Sequence, residues 1–278
     1  MIDLNLIHTL EPGLQKRLGL LQDRLVDLQP GIIAVSGGLD SRFLSSMARA
    51  WNLDFRTVFL SGPHLTPNER RKGRKWVQEL GLPCRTGTFS PLEIDRATEN
   101  TIQRCYHCKQ AMIRRVKALF APEGPLQILE GSHASDQDSF RPGQRALRES
   151  GVHSPLADAG LNKSDLRTCA HRLGLAEPEQ PSRACLLTRF AYGLPPDVAQ
   201  LNNLGQAEDE LLALGLNHVR IRQGLGHRTW LQVDEGDADL VRQSWLSVRA
   251  CLARFGFDQA ELLLTSGVSG FFDRPDQG

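Results

Sequence analysis

The stretch GIIAVSGGLDSRFLSSMARA, residues 31–50, constrains the fold more than any other. The apolar run from Gly31 to Val35 predicts a buried strand, and apolar residues at helical spacing from about Arg42 predict a helix. Between them lies the six-residue SGGLDS, made of Ser36, Gly37, Gly38, Leu39, Asp40 and Ser41. A strand that turns through glycines straight into a helix is the layout of a phosphate-binding turn. Its backbone N–H groups and the positive end of the helix cradle an anion. Gly37 and Gly38 let the backbone approach the oxygens, while Ser36 and Ser41 add hydroxyl donors. Asp40 is out of place beside a phosphate unless it holds Mg²⁺. The loop also lacks the lysine that GxxxxGK[ST] places at the outer phosphates. The plain alternative is a strand–turn–helix junction with Asp40 or Ser41 as its N-cap.

The elements that follow keep alternating. Strands are predicted at 54–63, 84–89 and 126–132, and helices at 66–80, 104–120 and 162–175, the last opening on an N-cap. This pattern predicts an α/β fold with a doubly wound parallel sheet and helices on both faces. Ligands of such folds sit at the carboxyl ends of the strands, where SGGLDS, SGPHLT and GSHASD fall. Ser61 joins the phosphate candidates on that ground. The segment 174–196 carries four prolines and reads as an interdomain linker. Beyond it a helix (197–214), strands (217–223 and 228–233), a helix (about 237–254) and a strand (261–264) predict a second, smaller α+β domain. The expected division is 1–176 and 177–278, with a mobile tail from about 266.

Lys+Arg (33) and Asp+Glu (32) nearly cancel, so affinity for a polyanion needs a local patch. The single basic block, RRKGRK at 70–75, reads as a solvated helix face before it reads as a tRNA contact. Leu14, Leu18, Leu21, Leu25 and Leu28 trace one side of an amphipathic helix, not an export signal. No apolar run reaches the ~20 residues of a membrane span. These features place the chain in the cytoplasm, away from membranes.

Six cysteines in such a chain are metal-binding, catalytic or core residues before they are disulfides. Cys105 and Cys108 form a CxxC, and Cys185 stands in SRACLLTRF between Arg183 and Arg189, whose charge would favour its thiolate. Cys169 and Cys251 lie on apolar helix stripes, and Cys84 opens a strand. In HVRIRQG, Arg220 and Arg222 share one face of a strand, which suits a phosphate monoester; a solvent-facing basic strand is the alternative. Glu208 falls in an apolar helix stripe and needs a partner or a metal, unless it reaches water at the edge.

SGGLDS resembles the PP-loop of the ATP pyrophosphatases. The runs at 131–175 and 181–193, with RPGxRAL, SPL and AGL, resemble LarE-type sacrificial sulfur transferases, and the likeness covers about residues 15–235. The resemblance implies that ATP, with Mg²⁺, is cleaved between its α and β phosphates while the loop grips pyrophosphate. No lysine at a γ-phosphate is then required. It implies adenylation of a pyridinium mononucleotide bearing two carboxylates, then sulfur insertion to give a thiocarboxylate for a nickel-binding cofactor. Some members give up the sulfur of one cysteine; others hold a [4Fe–4S] cluster on three. Cys185 matches the shared cysteine, and Cys105 and Cys108 supply the other two. Three thiolates leave a fourth iron open for exogenous sulfide. A closed zinc site would need a fourth ligand such as His107, and no metal at all is the further alternative. By resemblance Arg220 and Arg222 grip the nucleotide phosphate, Glu208 stands near the reactive cysteine, and Arg141 serves the acyl-phosphate region. A sulfide source and a homo-oligomer are also implied. His133, where relatives carry Asn, and Ser135, where an acidic residue is expected, depart from the pattern. The rival readings are a PP-loop tRNA thiolase with a [4Fe–4S] cluster, an ammonia-using synthetase, and a non-catalytic nucleotide-binding iron–sulfur carrier. The absence of a separate RNA-binding module argues against nucleic acid as a partner.

Overall fold

The computed structural model describes residues 2–136, 142–181 and 184–273. In chain order its helices and strands begin with α1 (Pro12–Leu28), β1 (Gly31–Ala34), α2 (Leu39–Ala50), β2 (Phe55–Ser61), α3 (Pro67–Glu79), β3 (Cys84–Thr88), α4 (Asp95–Thr98), α5 (Arg104–Phe120) and β4 (Gln127–Leu129). They continue with α6 (Pro142–Glu149), α7 (Pro155–Asp158), α8 (Lys163–Arg172), α9 (Val198–Ala213), β5 (Val219–Gln223), β6 (Thr229–Asp234), α10 (Ala238–Gln243), α11 (Trp245–Arg254) and β7 (Glu261–Thr265). The chain forms two compact units. One comprises Met1–Ser61, Arg71–Phe89 and Cys108–Ser182; the other comprises Gly62–Arg70, Ser90–His107 and Arg183–Gly278. The second unit thus draws on two segments that precede residue 177, and the first continues to Ser182.

The first unit holds a parallel sheet in the order β3-β2-β1-β4, flanked by helices: the doubly wound α/β architecture. From β1 the chain steps outward to β2 and β3, then returns to place β4 on the other side of β1. The carboxyl end of β1 is therefore the topological switch point, where such sheets bind ligands. Two glycines set the spacing: a Cβ on Gly31 would lie 2.8 Å from the Phe55 ring, and one on Gly73 2.5 Å from the Phe59 ring. All five leucines of the α1 stripe are buried, each contributing on the order of 1.5–3 kcal/mol of burial. The N-cap of α8 is a full capping box between Asn162 and Asp165.

The second unit carries a three-stranded sheet, β5-β6-β7, antiparallel between β5 and β6 and parallel between β6 and β7. Its core gathers Leu201, Leu204 and Leu211 of α9 with Val219, Ile221, Leu231 and Val233. Three expectations need correction. The segment 174–196 is not a linker throughout: Leu186, Leu187 and Phe190 are 1–3% exposed and belong to this core, and Leu186 N–H donates to the His64 carbonyl at 2.9 Å. Proline content masked that apolar content. The helix expected at 237–254 breaks at Ser244 into α10 and α11. The tail is packed as far as Phe271 and Phe272, which bury themselves with Ala191. Among the described residues no helix is long and apolar enough to cross a membrane.

Candidate active site

The first unit builds SGGLDS as a turn between β1 and α2, as the sequence suggests. Gly37 takes φ +84°, a left-handed conformation that glycine adopts without cost. Ser41 Oγ accepts from Ser36 N–H at 3.1 Å and donates to the Gly38 carbonyl at 3.2 Å; Ser36 Oγ accepts from Gly38 N–H at 3.3 Å. The N-cap of α2 is Gly38, without a side-chain cap, so neither Asp40 nor Ser41 caps the helix. Gly131, just past β4, closes on the loop so tightly that a Cβ there would lie 2.8 Å from Ser41 N. Ser61, at the end of β2, is 4% exposed, with an Arg74 Nη2 donor at 3.5 Å.

A lysine from a distant segment reaches the loop. Lys163 Nζ lies 2.5 Å from Asp40 Oδ1, both side chains about a quarter exposed. Lys163 is the first residue of α8, where a cation opposes the helix dipole. Asp40 offsets that cost and holds the ammonium at the loop. No sequence signal marked Lys163, because its partner stands 123 residues away. For Mg²⁺, Asp40 is the one loop carboxylate. That suits a cation which takes one or two carboxylates and completes its shell with phosphate oxygens and water.

The second unit brings together Cys185, Glu208, Arg189, Arg220 and Arg222. Arg189, 1% exposed, forms a bidentate pair with Glu208, Nε to Oε1 at 2.8 Å and Nη2 to Oε2 at 2.9 Å. Glu208 Oε1 also accepts from Ile221 N–H at 3.0 Å. Burial alone would raise the Glu208 pKa; the Arg189 charge and hydrogen bonds, then the Arg220 charge, leave it below the usual carboxylate range. So Glu208 answers its apolar setting with a partner and does not reach water. Arg220 and Arg222 share a strand face as expected, but they are each 3% exposed, not solvent-facing. Arg222 donates to Gln232 Oε1 and to the carbonyls of Thr188 and Val268, and lies over the Phe271 ring at 5.2 Å. Burial and the charges of Arg189, Arg220 and Arg104 lower its pKa to about 9.

Cys185 departs from expectation. Desolvation raises its thiol pKa to about 11, and the charges of Arg104 and Arg189 offset only part of that. Arg189 is committed to Glu208, which is why it does not deliver the thiolate. Cys105 is exposed, on the first turn of α5, with Cys108 one turn further along the same helix. Cys105 and Cys185 are close enough to act on each other electrostatically. Three thiols are the right donors for an iron–sulfur cluster, yet among the described residues no group of three or more His, Cys, Asp or Glu side chains is placed to hold a metal ion. The same holds for a zinc set completed by His107, whose ring packs edge-on against Tyr106 at 5.3 Å. Cys169 and Cys251 are buried in the two cores, as their spacing implied. Arg141 and Arg183 lie outside the described residues.

No protein-family model matches the chain. It is 30% identical over 210 residues to an uncharacterized protein of Synechocystis sp., covering 75% of this chain and 78% of that one. It is 31% identical over 200 residues to pyridinium-3,5-bisthiocarboxylic acid mononucleotide synthase of Lactiplantibacillus plantarum, covering 71% of this chain and 72% of the relative. The chain belongs to the LarE synthase family. A third relative, an uncharacterized protein of Methanocaldococcus jannaschii, is 26% identical over 191 residues, 69% of this chain and 73% of its own length.

Of the two positions that depart from the LarE pattern, His133 is buried, its Nδ1 3.6 Å from Asp136 Oδ2, and its backbone N–H donates to the same carboxylate at 3.2 Å. Ser135 is exposed.

Proposed function

We propose that this LarE-family chain is an ATP-dependent sulfurtransferase. It adenylates a carboxylate of a pyridinium mononucleotide and inserts sulfur to form a thiocarboxylate, a step in building a nickel-binding cofactor. The observation that carries the reading is 31% identity, over 71% of the chain, to an enzyme named for a bisthiocarboxylic acid mononucleotide, together with the buried Arg220 and Arg222 sharing one strand face in the unit that holds Cys185. Two adjacent guanidiniums suit a phosphate monoester.

In this reading the SGGLDS loop and Lys163 bind the β and γ phosphates. Mg²⁺ brought with the nucleotide takes Asp40 as its protein ligand and screens the phosphate charge. A substrate carboxylate oxygen attacks the α-phosphorus, and the P–O bond to pyrophosphate breaks. The acyl adenylate then accepts hydrosulfide: a C–S bond forms at the acyl carbon, the C–O bond to AMP breaks with its electron pair going to AMP, and the sulfur's proton is lost to solvent to leave the thiocarboxylate. Arg220 and Arg222 bind the substrate phosphate. Arg189 and Glu208 keep the segment carrying Cys185 in place, and a thiol near pKa 11 must lose its proton before it can serve as a metal ligand. The assignment of Cys105, Cys108 and Cys185 to a [4Fe–4S] cluster rests on donor chemistry and family resemblance, and iron and sulfide analysis of anaerobically purified protein tests it.

The deciding experiment follows AMP and pyrophosphate with anaerobically purified protein, ATP and Mg²⁺. The acceptor is the dicarboxylated pyridinium mononucleotide, bulk tRNA, or neither. Release stimulated only by the mononucleotide is expected. Release stimulated by tRNA, or by no acceptor, overturns the reading.

A further inference from the structure

Among its described residues the second unit buries four guanidiniums, and one of them, Arg104, keeps a buried donor without a hydrogen-bond partner. Arg104, Arg189, Arg220 and Arg222 are 6%, 1%, 3% and 3% exposed. Its buried carboxylates, among the described residues, are Glu208 and Asp237. Glu208 is committed to Arg189. Asp237 is held by Asn217 and His218, accepting from both backbone N–H groups at 2.7 and 2.9 Å. Asp273 accepts from the Tyr192 hydroxyl at 2.5 Å. A phosphate monoester on Arg220 and Arg222 would still leave Arg104 unanswered.

Arg104 is built into place with care. Its Nη1 donates to Asn100 Oδ1 at 2.8 Å. Asn100 is fully buried, takes φ +51°, and donates from Nδ2 to the carbonyls of Ala191 and Leu194 at 2.8 and 2.9 Å. The guanidinium lies over the Tyr192 ring, 4.6 Å from its centroid. That contact fixes the plane of the group. Arg104 Nε, buried, has no hydrogen-bond partner. Leaving such a donor unmade costs free energy unless a ligand completes it. With Nη1 taken by Asn100, the edge formed by Nε and Nη2 is the one whose spacing matches two carboxylate oxygens. The residue precedes Cys105, and its charge acts on Cys185, Tyr192 and Arg222. It therefore belongs to the neighbourhood of the reacting thiol.

We propose that Arg104 forms a carboxylate subsite, separate from the phosphate-binding pair, which holds the ring carboxylate that is not being activated. The inference rests on the sulfurtransferase reading and adds a residue that sets its specificity. One carboxylate is activated at a time, so the other keeps its charge and needs a cation. Arg104 supplies it and orients the ring so that the activated carboxylate faces the sulfur.

Binding of three mononucleotides to wild type, R104K and R104M, measured by calorimetry without ATP, tests this. The pyridinium rings carry two carboxylates, one carboxylate, or one carboxamide. Wild type is expected to prefer either carboxylated ring over the carboxamide by about 10- to 100-fold, the worth of a charge-assisted hydrogen-bonded pair. R104M is expected to lose that preference while keeping its affinity for the carboxamide. R104K, which keeps charge and reach to Asn100 but not the two-donor edge, is expected to fall between them. A variant that weakens all three ligands equally would reduce Arg104 to a tie between α5 and residues 191–194 and overturn the proposal. Equal wild-type affinity for the carboxylated and carboxamide rings also overturns it, leaving the sulfurtransferase reading intact. Failure of wild type to bind any mononucleotide overturns that reading and the subsite together.

Discussion

Replacing Glu208 by glutamine keeps the shape of the side chain and removes only its charge. The loss is concentrated because Arg189 is 1% exposed and takes both carboxylate oxygens, at 2.8 and 2.9 Å. Removing one partner of a buried pair costs about 3–5 kcal/mol, since the other charge stays desolvated. Arg220 and Arg222, both buried, lose the same counter-charge. Total stability is about 5–15 kcal/mol, so the second unit should unfold at markedly lower urea than in wild type. The double variant R189M/E208L removes the orphaned Arg189 charge along with its partner and is expected to recover part of the loss, the remainder reflecting Arg220, Arg222 and the Ile221 N–H that Glu208 also answers. The pH dependence follows from the depressed Glu208 pKa. A carboxyl whose folded pKa lies below its unfolded value of about 4.3 contributes stability above that pH. The contribution is lost as pH falls through the folded value. The gap between wild type and E208Q should therefore be full at pH 7 and shrink progressively below about pH 4. Urea titrations from pH 3 to 8 read this directly. An E208Q variant within about 0.5 kcal/mol of wild type at pH 7, or a gap that does not change toward pH 3, would refute the reasoning.

Two further outcomes test the site. In metal-free protein, the Cys185 thiol near pKa 11 is about one part in a thousand thiolate at pH 8, so its alkylation rate, read by peptide mass mapping, should rise about tenfold per pH unit from 7 to 10; a plateau near pH 8 would contradict the desolvation argument. Gly131→Ala forces a Cβ to within 2.8 Å of Ser41 N and 3.0 Å of Ser41 Cα, an overpacking of about 1–3 kcal/mol. ATP affinity should fall along with the melting temperature, and an unchanged ATP Kd would show that the loop does not need that close approach.

What the chain displays locally was legible in its sequence. The α1 leucine stripe, the Asn162 cap, the β1–SGGLDS–α2 junction and the shared face of Arg220 and Arg222 each follow from periodicity or from one short run. What was not legible is which distant charge answers which. Arg189, four residues from Cys185, looks like its activator in the sequence, but a carboxylate 19 residues on claims its Nε and Nη2. Arg220 and Arg222 allowed a solvent-facing strand because alternation gives a face but not its burial. Prolines at 174–196 suggested a linker where Leu186, Leu187 and Phe190 pack into a core. The loop itself makes the point most clearly. A phosphate loop without its lysine is a puzzle only while the motif is read in isolation. Lys163 opens a helix whose dipole disfavours it, while Asp40, in the first turn of α2, suits its own helix but would repel a bound phosphate. The 2.5 Å contact between them offsets the first conflict and screens the second. A cation unfavourable in its own element, matched across 123 residues, becomes readable once the fold has brought the two together.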